Sequence, residues 1–311
     1  MQAEKSRFDV VTLGHILLDL RFCVDAFATP DKEGAIKSQS HGVGGSAANV
    51  AIGIRRLGGK SAVIGKVGFD DFGKNALEDL VREGVDISNV RIDALNGKTG
   101  FTLVIIDSSG QIIMYGDKGV AETLTPEEVN TKVLRETEHL HIASLRVDTA
   151  SSIAKIAKEL GVRISWDPGR RQARLGLEAL RPVIRYADIV LPNEIEAKAM
   201  TGTESIEEAA ETLLKEGVGM VIIKRGARGV YVATKREVFE VPGYRPETVV
   251  DTTGAGDAFA AGLIMGLKKF ELREAVRFAT IVAGLKVTRL GSHEIPNWNE
   301  AIAVFEKQRK G

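Results

Sequence analysis

Residues 251–259 read Asp251-Thr252-Thr253-Gly254-Ala255-Gly256-Asp257-Ala258-Phe259 and lead from an extended run, 248–250, into a helical pattern over 258–268. Three small residues in succession let the backbone approach a ligand closely, and at a helix start they leave several N–H groups without internal partners. Such N–H groups, with the helix dipole behind them, make a site for an anion. Asp257 falls in the first turn beside that anion, where a carboxylate is unexpected unless it does chemistry. The dipole favours its ionised form, which makes it a candidate base for a hydroxyl attacking a phosphoryl group. The bland alternative is a Gly-rich helix start with the Asp as capping residue.

A second cluster, Gly42-Val43-Gly44-Gly45-Ser46-Ala47-Ala48-Asn49, also opens a helical pattern. Small residues again permit close approach, and Asn49 offers a bidentate polar group suited to sugar hydroxyls, or else simply faces solvent. Other glycines are decoys. Gly68 and Gly73-Lys74 have the spacing of a phosphate-binding loop, but Asn75 stands where a magnesium-binding hydroxyl is required. Gly59-Lys60-Ser61 has the right ending with its upstream glycine, Gly53, one residue out of register. No G-x-G-x-x-G follows the first strand, which argues against a dinucleotide fold.

Around these motifs, short β-rich apolar runs (8–13, 61–67, 139–145, 162–167, 187–191 and 219–224) alternate with amphipathic stretches. The stretches 47–57, 74–83, 149–160 and 204–216 each close before a glycine, as helices do. Alternation of this kind predicts a parallel sheet covered by helices on both faces. Residues 20–41 and 91–118 break the pattern with short alternating segments, including a hairpin around Ser108-Ser109-Gly110. They predict a small antiparallel sheet projecting from one domain spanning 1–311. A second hairpin (229–233 with 237–241) and helices over 256–268, 272–287 and 298–307 complete the chain.

Composition narrows the function. The 311 residues carry 42 basic and 42 acidic side chains, a balance unlike that of nucleic-acid proteins. One cysteine, Cys23, excludes a disulfide framework and fits a reducing cytoplasm. No apolar run approaches the ~18 residues of a membrane span, and residues 1–7 lack the apolar core of a signal peptide. The expectation is a cytoplasmic protein with no membrane or nucleic-acid partner.

The two glycine clusters, in this order, resemble the PfkB/ribokinase family of carbohydrate and nucleoside kinases. Gly14-His-Ile-Leu-Leu-Asp19 is similar to the family's first strand and its substrate-holding acid, and Gly44-Gly45-x-x-x-Asn49 to its N-terminal signature. Asp251 to Asp257 is similar to the C-terminal signature, and Asn193-Glu194-Ile-Glu196 to the N-x-x-E element. Lys224-Arg225-Gly226-Ala227-Arg228-Gly229 resembles the nucleotide-binding turn, and 287–291 the late helix end.

The resemblance implies a ribokinase-like α/β fold with a small β lid, and transfer of the terminal phosphoryl of ATP or ADP to a sugar-like hydroxyl. Asp257 is then the base, and the N–H groups of Gly254, Ala255 and Gly256 form the anion hole. Asp19, Gly44, Gly45 and Asn49 hold the acceptor. Asn193, Lys224, Gly226, Gly229 and Thr280 meet the nucleotide, Thr280 standing where many relatives carry Asn. Glu196 organises Mg2+ through water, and Asp251 with the backbone near Gly291 corresponds to a monovalent-cation (K+) site of several relatives. The lid implies a homodimer, since an exposed sheet edge invites pairing.

For the acceptor, Ser46-Ala47-Ala48 replaces the lysine-bearing motif of ribokinases proper, which counts against free ribose. Arg170 and Arg171 follow a strand end at Asp167, and guanidinium forks suit carboxylate or phosphate. An anionic sugar is therefore expected, a sugar phosphate such as ribose 1-phosphate or a sugar acid such as 2-keto-3-deoxygluconate. A nucleoside kinase on the same fold and a non-catalytic sugar sensor are the alternatives.

Overall fold

The computed structural model describes residues 6–95 and 97–310; residues 1–5, 311 and Asn96 within the 91–118 segment lie outside it. In chain order the strands are β1 (Phe8–Gly14), β2 (Leu17–Val24), β3 (Ile36–Gly44), β4 (Ser61–Gly68), β5 (Val90–Asp93), β6 (Thr99–Ile106) and β7 (Ile112–Gly119). They continue with β8 (Thr137–Ala143), β9 (Arg163–Asp167), β10 (Ile189–Val190), β11 (Met220–Lys224), β12 (Val230–Thr234) and β13 (Val238–Val241). The helices are α1 (Ser46–Arg56), α2 (Asp71–Arg82), α3 (Val147–Glu159), α4 (Gly169–Ala173), α5 (Gly176–Ile184), α6 (Glu194–Thr201) and α7 (Ile206–Lys215). The last three are α8 (Ala255–Leu267), α9 (Leu272–Lys286) and α10 (Trp298–Lys310).

Nine strands form one sheet in the order β13-β12-β11-β10-β9-β8-β1-β4-β5. It is parallel from β11 to β5 and antiparallel at the β11-β12-β13 edge. Side chains alternate between its faces. Val11 and Leu13 join the core beneath α3, α5, α6 and α7, while Val10 joins the core under α1, α8, α9 and α10. The helices stop where their glycines predict: Gly58, Gly84, Gly161 and Gly217 have φ of 85, 75, 75 and 103°, the left-handed conformation that ends a helix most cheaply when there is no Cβ.

The second sheet has four strands in the order β3-β2-β6-β7. Its β6–β7 hairpin turns at Gly110, φ 82°, as expected. Three expectations need correction. β2 and β6 run parallel, so this sheet is not wholly antiparallel. Residues 91–93 belong to β5 at the edge of the main sheet, because their backbone pairs with β4 and not with the hairpin. The strand expected to run from Gly14 to Asp19 is also two strands: β1 ends at Gly14, and Asp19 lies on β2 in the second sheet.

Candidate active site

In a parallel sheet the strands' carboxyl ends open onto one edge, where ligands bind. β9 ends at Asp167 and β11 ends at Lys224, and between them lies β10, only two residues long. Across that gap the Lys224 Nζ pairs with Asp167 Oδ2 at 2.5 Å, both side chains largely buried. Burial works to lower the Lys224 ammonium, but the carboxylates of Asp167, Glu196 and Asp257 outweigh it and its pKa rises. Lys224 is therefore a cation among three carboxylates, and its Nζ is 3.3 Å from where a Cβ on Gly256 would stand.

Asn193 and Glu196 form a reciprocal capping box at the start of α6. The Glu196 N–H donates to Asn193 Oδ1, and the Asn193 N–H donates to Glu196 Oε2, each at 2.9 Å. The ordinary structural role expected as their alternative is thus present. It leaves Glu196 Oε1 and the Asn193 amide NH2 for a ligand. Burial and the neighbouring Asp167 carboxylate raise the Glu196 pKa, so a divalent cation here would relieve a surplus of negative charge.

α8 begins on Gly254, whose φ is 79°. A Cβ there would stand 2.0 Å from the Ser292 carbonyl oxygen, so the turn requires glycine. The Ala255 N–H donates to the Thr252 carbonyl at 3.2 Å and is not free as expected. The N–H groups of Gly254, Gly256 and Asp257 have no partner among the described residues.

Asp257 Oδ2 accepts a hydrogen bond from Asn49 Nδ2 at 2.7 Å. Burial pushes Asp257 up to about 7, against the pull of the Asn49 and Ser46 hydrogen bonds and of Lys224, and with help from the Asp167 charge. This corrects the expectation that the dipole dominates. The dipole favours an anion by at most ~2 kcal/mol, and here desolvation is the larger effect.

Asn49 also links Asp257 to the second sheet. Ser292 Oγ donates to Asp19 Oδ2 at 2.6 Å and lies 3.4 Å from Asn49 Oδ1. Asp19, Asn49 and Ser292 are all buried. Gly44 is needed because a Cβ would fall 2.2 Å from the Asp19 carboxylate, and Gly45, φ 92°, caps α1. Buried Arg21 adds a guanidinium, with Nη2 3.3 Å from Asp19 Oδ2.

On the other side of α8 is a cavity of about 630 Å3 that holds Lys224, Gly226, Gly229 and Thr280, all expected, together with Ala255 and Gly256. Tyr244, Val249 and Phe259 supply its apolar wall. Thr280 Oγ1 is already committed to the Arg277 carbonyl at 2.8 Å.

At Asp251, where the resemblance implies a monovalent cation, the polar atoms have partners within the chain. Its carboxylate oxygens accept the N–H groups of Thr253 and Gly291 at 2.8 and 2.9 Å, and its carbonyl accepts from Lys286 Nζ at 2.8 Å. Arg170, on α4, is exposed, and its charge acts on Glu196. Arg171 pairs with Glu122 at 3.1 Å. Sequence reasoning assigned no role to Arg21, Asp167, Ser292 or Lys286. Of these only Lys286 carried a signal, a charge on the same helical face as Ala275, Ala279 and Val282, where the α9 pattern calls for apolar residues.

A carboxylate at pKa about 7 beside free N–H donors, between the buried polar groups of Asp19, Asn49 and Ser292 and a cavity of about 630 Å3, is the arrangement of a phosphotransferase acting on sugar hydroxyls. Residues 7–299 match the pfkB family carbohydrate kinase model, and the chain belongs to that family. It is 35% identical over 302 residues to an ATP-dependent ribose-1-phosphate kinase of Halopiger xanaduensis, covering 96% of this chain and 98% of that one. Among solved structures it is similar to Arabidopsis thaliana ribokinase complexed with ribose and ATP, at 25% identity and TM-score 0.86, covering 96% and 99% of the two chains. It is also similar to a Ribokinase II candidate from E. coli in complex with ATP and Mg2+, at 29% identity and TM-score 0.84, covering 97% and 99%. ATP with Mg2+ is the donor system of such kinases. Among the described residues no helix is long and apolar enough to cross a membrane.

Proposed function

We propose that the protein transfers the terminal phosphoryl of ATP, or of ADP, to a hydroxyl of an anionic sugar such as ribose 1-phosphate or 2-keto-3-deoxygluconate. The observation that carries the reading is Asp257, a carboxylate with pKa about 7 at the mouth of unpartnered N–H groups. In its ionised form, a base poised near neutrality accepts the hydroxyl proton with a stronger pull than an ordinary carboxylate has. Charge developing on the transferred group meets the N–H groups of Gly254, Gly256 and Asp257, with the Lys224 ammonium close by. Asp19, Gly44, Gly45 and Asn49 line the acceptor side, and Lys224, Gly226, Gly229 and Thr280 the nucleotide side. Glu196 Oε1 would hold Mg2+ through water, and the Asn193 NH2 would donate to a phosphate oxygen of the nucleotide; when bound, the ion neutralises phosphate charge.

The anionic acceptor is supported by Arg21 in the acceptor niche, by Arg170 at the β9 end, and by the 35% identical ribose-1-phosphate kinase. The second sheet acts as lid. Its outer strands expose Ile36, Ile112, Met114 and Tyr115, apolar side chains on unpaired edges that suit a homodimer through the lid. Light scattering decides that point: a dimer that Met114→Lys dissociates is expected, and a wild-type monomer overturns it.

The functional test is a coupled assay over sugars, sugar phosphates, sugar acids and nucleosides, with ATP and ADP run in parallel. The highest kcat/KM is expected with a phosphorylated or carboxylated sugar. Turnover of a neutral sugar or a nucleoside alone would overturn the acceptor assignment.

A further inference from the structure

Lys286 is the last residue of α9, and its side chain is fully buried. Helix carboxyl ends attract cations. The backbone N–H groups of Val250 and Asp251 both donate to the Val287 carbonyl, at 2.7 and 3.1 Å, which draws the segment before the Gly254 turn against that helix end. Into this niche Lys286 extends its ammonium, 2.8 Å from the Asp251 carbonyl oxygen and 3.9 Å from Asp251 Oδ2. Burial lowers the ammonium's pKa, and the carboxylates of Asp251, Asp257 and Glu294 oppose that effect against the nearby Arg21.

The Asp251 carboxylate in turn ties two loops together, one oxygen on Thr253 and the other on Gly291. These loops carry Gly254 and Ser292, the turn that starts α8 and the hydroxyl that meets Asp19. One positive charge at this point therefore holds the anion-binding turn and the acceptor niche in mutual register. The niche has a carboxylate, a carbonyl and a helix end, all asking for a cation, and the chain supplies its own.

We propose that Lys286 is a positioning residue, a tethered cation for the Gly254 turn, which makes phosphoryl transfer independent of any monovalent metal ion. The inference rests on the kinase reading above. An ion fixed by a side chain has no binding equilibrium, so turnover does not follow the salt present.

The test measures kcat in choline, sodium and potassium chloride at matched ionic strength, for the wild type and Lys286→Ala. Wild-type kcat is expected to be the same in all three. Lys286→Ala, with wild-type circular dichroism, is expected to lose about 100-fold in kcat in choline, the scale of a misplaced site, and to regain most of it in potassium with its KM values little moved. Potassium stimulation of the wild type overturns the proposal, as does a folded variant that keeps its kcat or that no cation restores. If the variant does not fold, the wild-type salt profile decides. If no acceptor is turned over, the kinase reading fails separately and thermal melting still decides Lys286. Potassium raising the Tm of the variant alone supports it, and potassium raising the Tm of the wild type overturns it.

Discussion

The Asn49 amide donates to the Asp257 carboxylate at 2.7 Å, joining the first turns of two helices that lie 208 residues apart in the chain. Asp257 nonetheless stays near pKa 7, because burial outweighs that bond. Catalysis by a base needs the unprotonated form, so kcat should fall as pH drops through about 7, about tenfold per unit below it. Asp257→Asn should cut kcat at least ~100-fold with acceptor KM largely kept; near-wild-type turnover would remove Asp257 from the reaction.

The same shift has a cost in stability. A carboxyl whose pKa is higher folded than unfolded binds its proton more tightly in the native state, so stability falls as pH rises from about 3.8 through about 7. Asp257→Asn abolishes that loss. Its Tm should exceed that of the wild type at pH 8, and the difference should vanish in acid. A lower Tm for the variant at pH 8 would contradict this balance.

Asn49→Ala should move the acid limb of the kcat profile to higher pH, because the bond it removes is one that lowers the Asp257 pKa. A merely structural role for Asn49 would lower kcat evenly at every pH.

Gly254→Ala should both destabilise and inactivate. The φ of 79° disfavours a Cβ, and the added methyl would meet the Ser292 carbonyl at 2.0 Å. Strain of this kind is worth about 1–3 kcal/mol, visible as a shift of the denaturation midpoint, and kcat should drop because the free N–H groups move with the turn. Unchanged melting would show that the turn adapts freely.

Arg170→Ala and Arg21→Ala separate two ways of recognising an anionic acceptor. If Arg170 holds the anion, its removal should raise KM for a phosphorylated sugar far more than for a neutral one. A rise in nucleotide KM instead would assign it to the Glu196 side, where its charge acts, and leave Arg21 as the acceptor's guanidinium.

Local signals made the motifs readable in sequence: small residues before an Asp at 254–257, Gly closures at 58, 84, 161 and 217, and an apolar β alternation. Their assembly was not readable. Asp167 and Lys224 meet only because β9 and β11 flank a two-residue strand, and no spacing along the chain encodes that. Ser292 reaches Asp19 across 273 residues. The Asp257 pKa is not legible along the chain, because a dipole can be inferred from a helix start, whereas desolvation depends on what packs over it. Asn193 and Glu196 matched a motif whose residues also satisfy each other as a cap, so one pattern carried two roles.

β2 leaves the main sheet after β1 and runs its length in the second sheet, with Asp19 on it. On the proposed reading, the group that grips the acceptor is thus fixed to the cover that shuts over it, and recognition and shelter become one mechanical act. A molecule too small to engage Asp19, water above all, gives the cover nothing to fasten on. The nucleotide is then guarded against hydrolysis by the same strand that selects its partner.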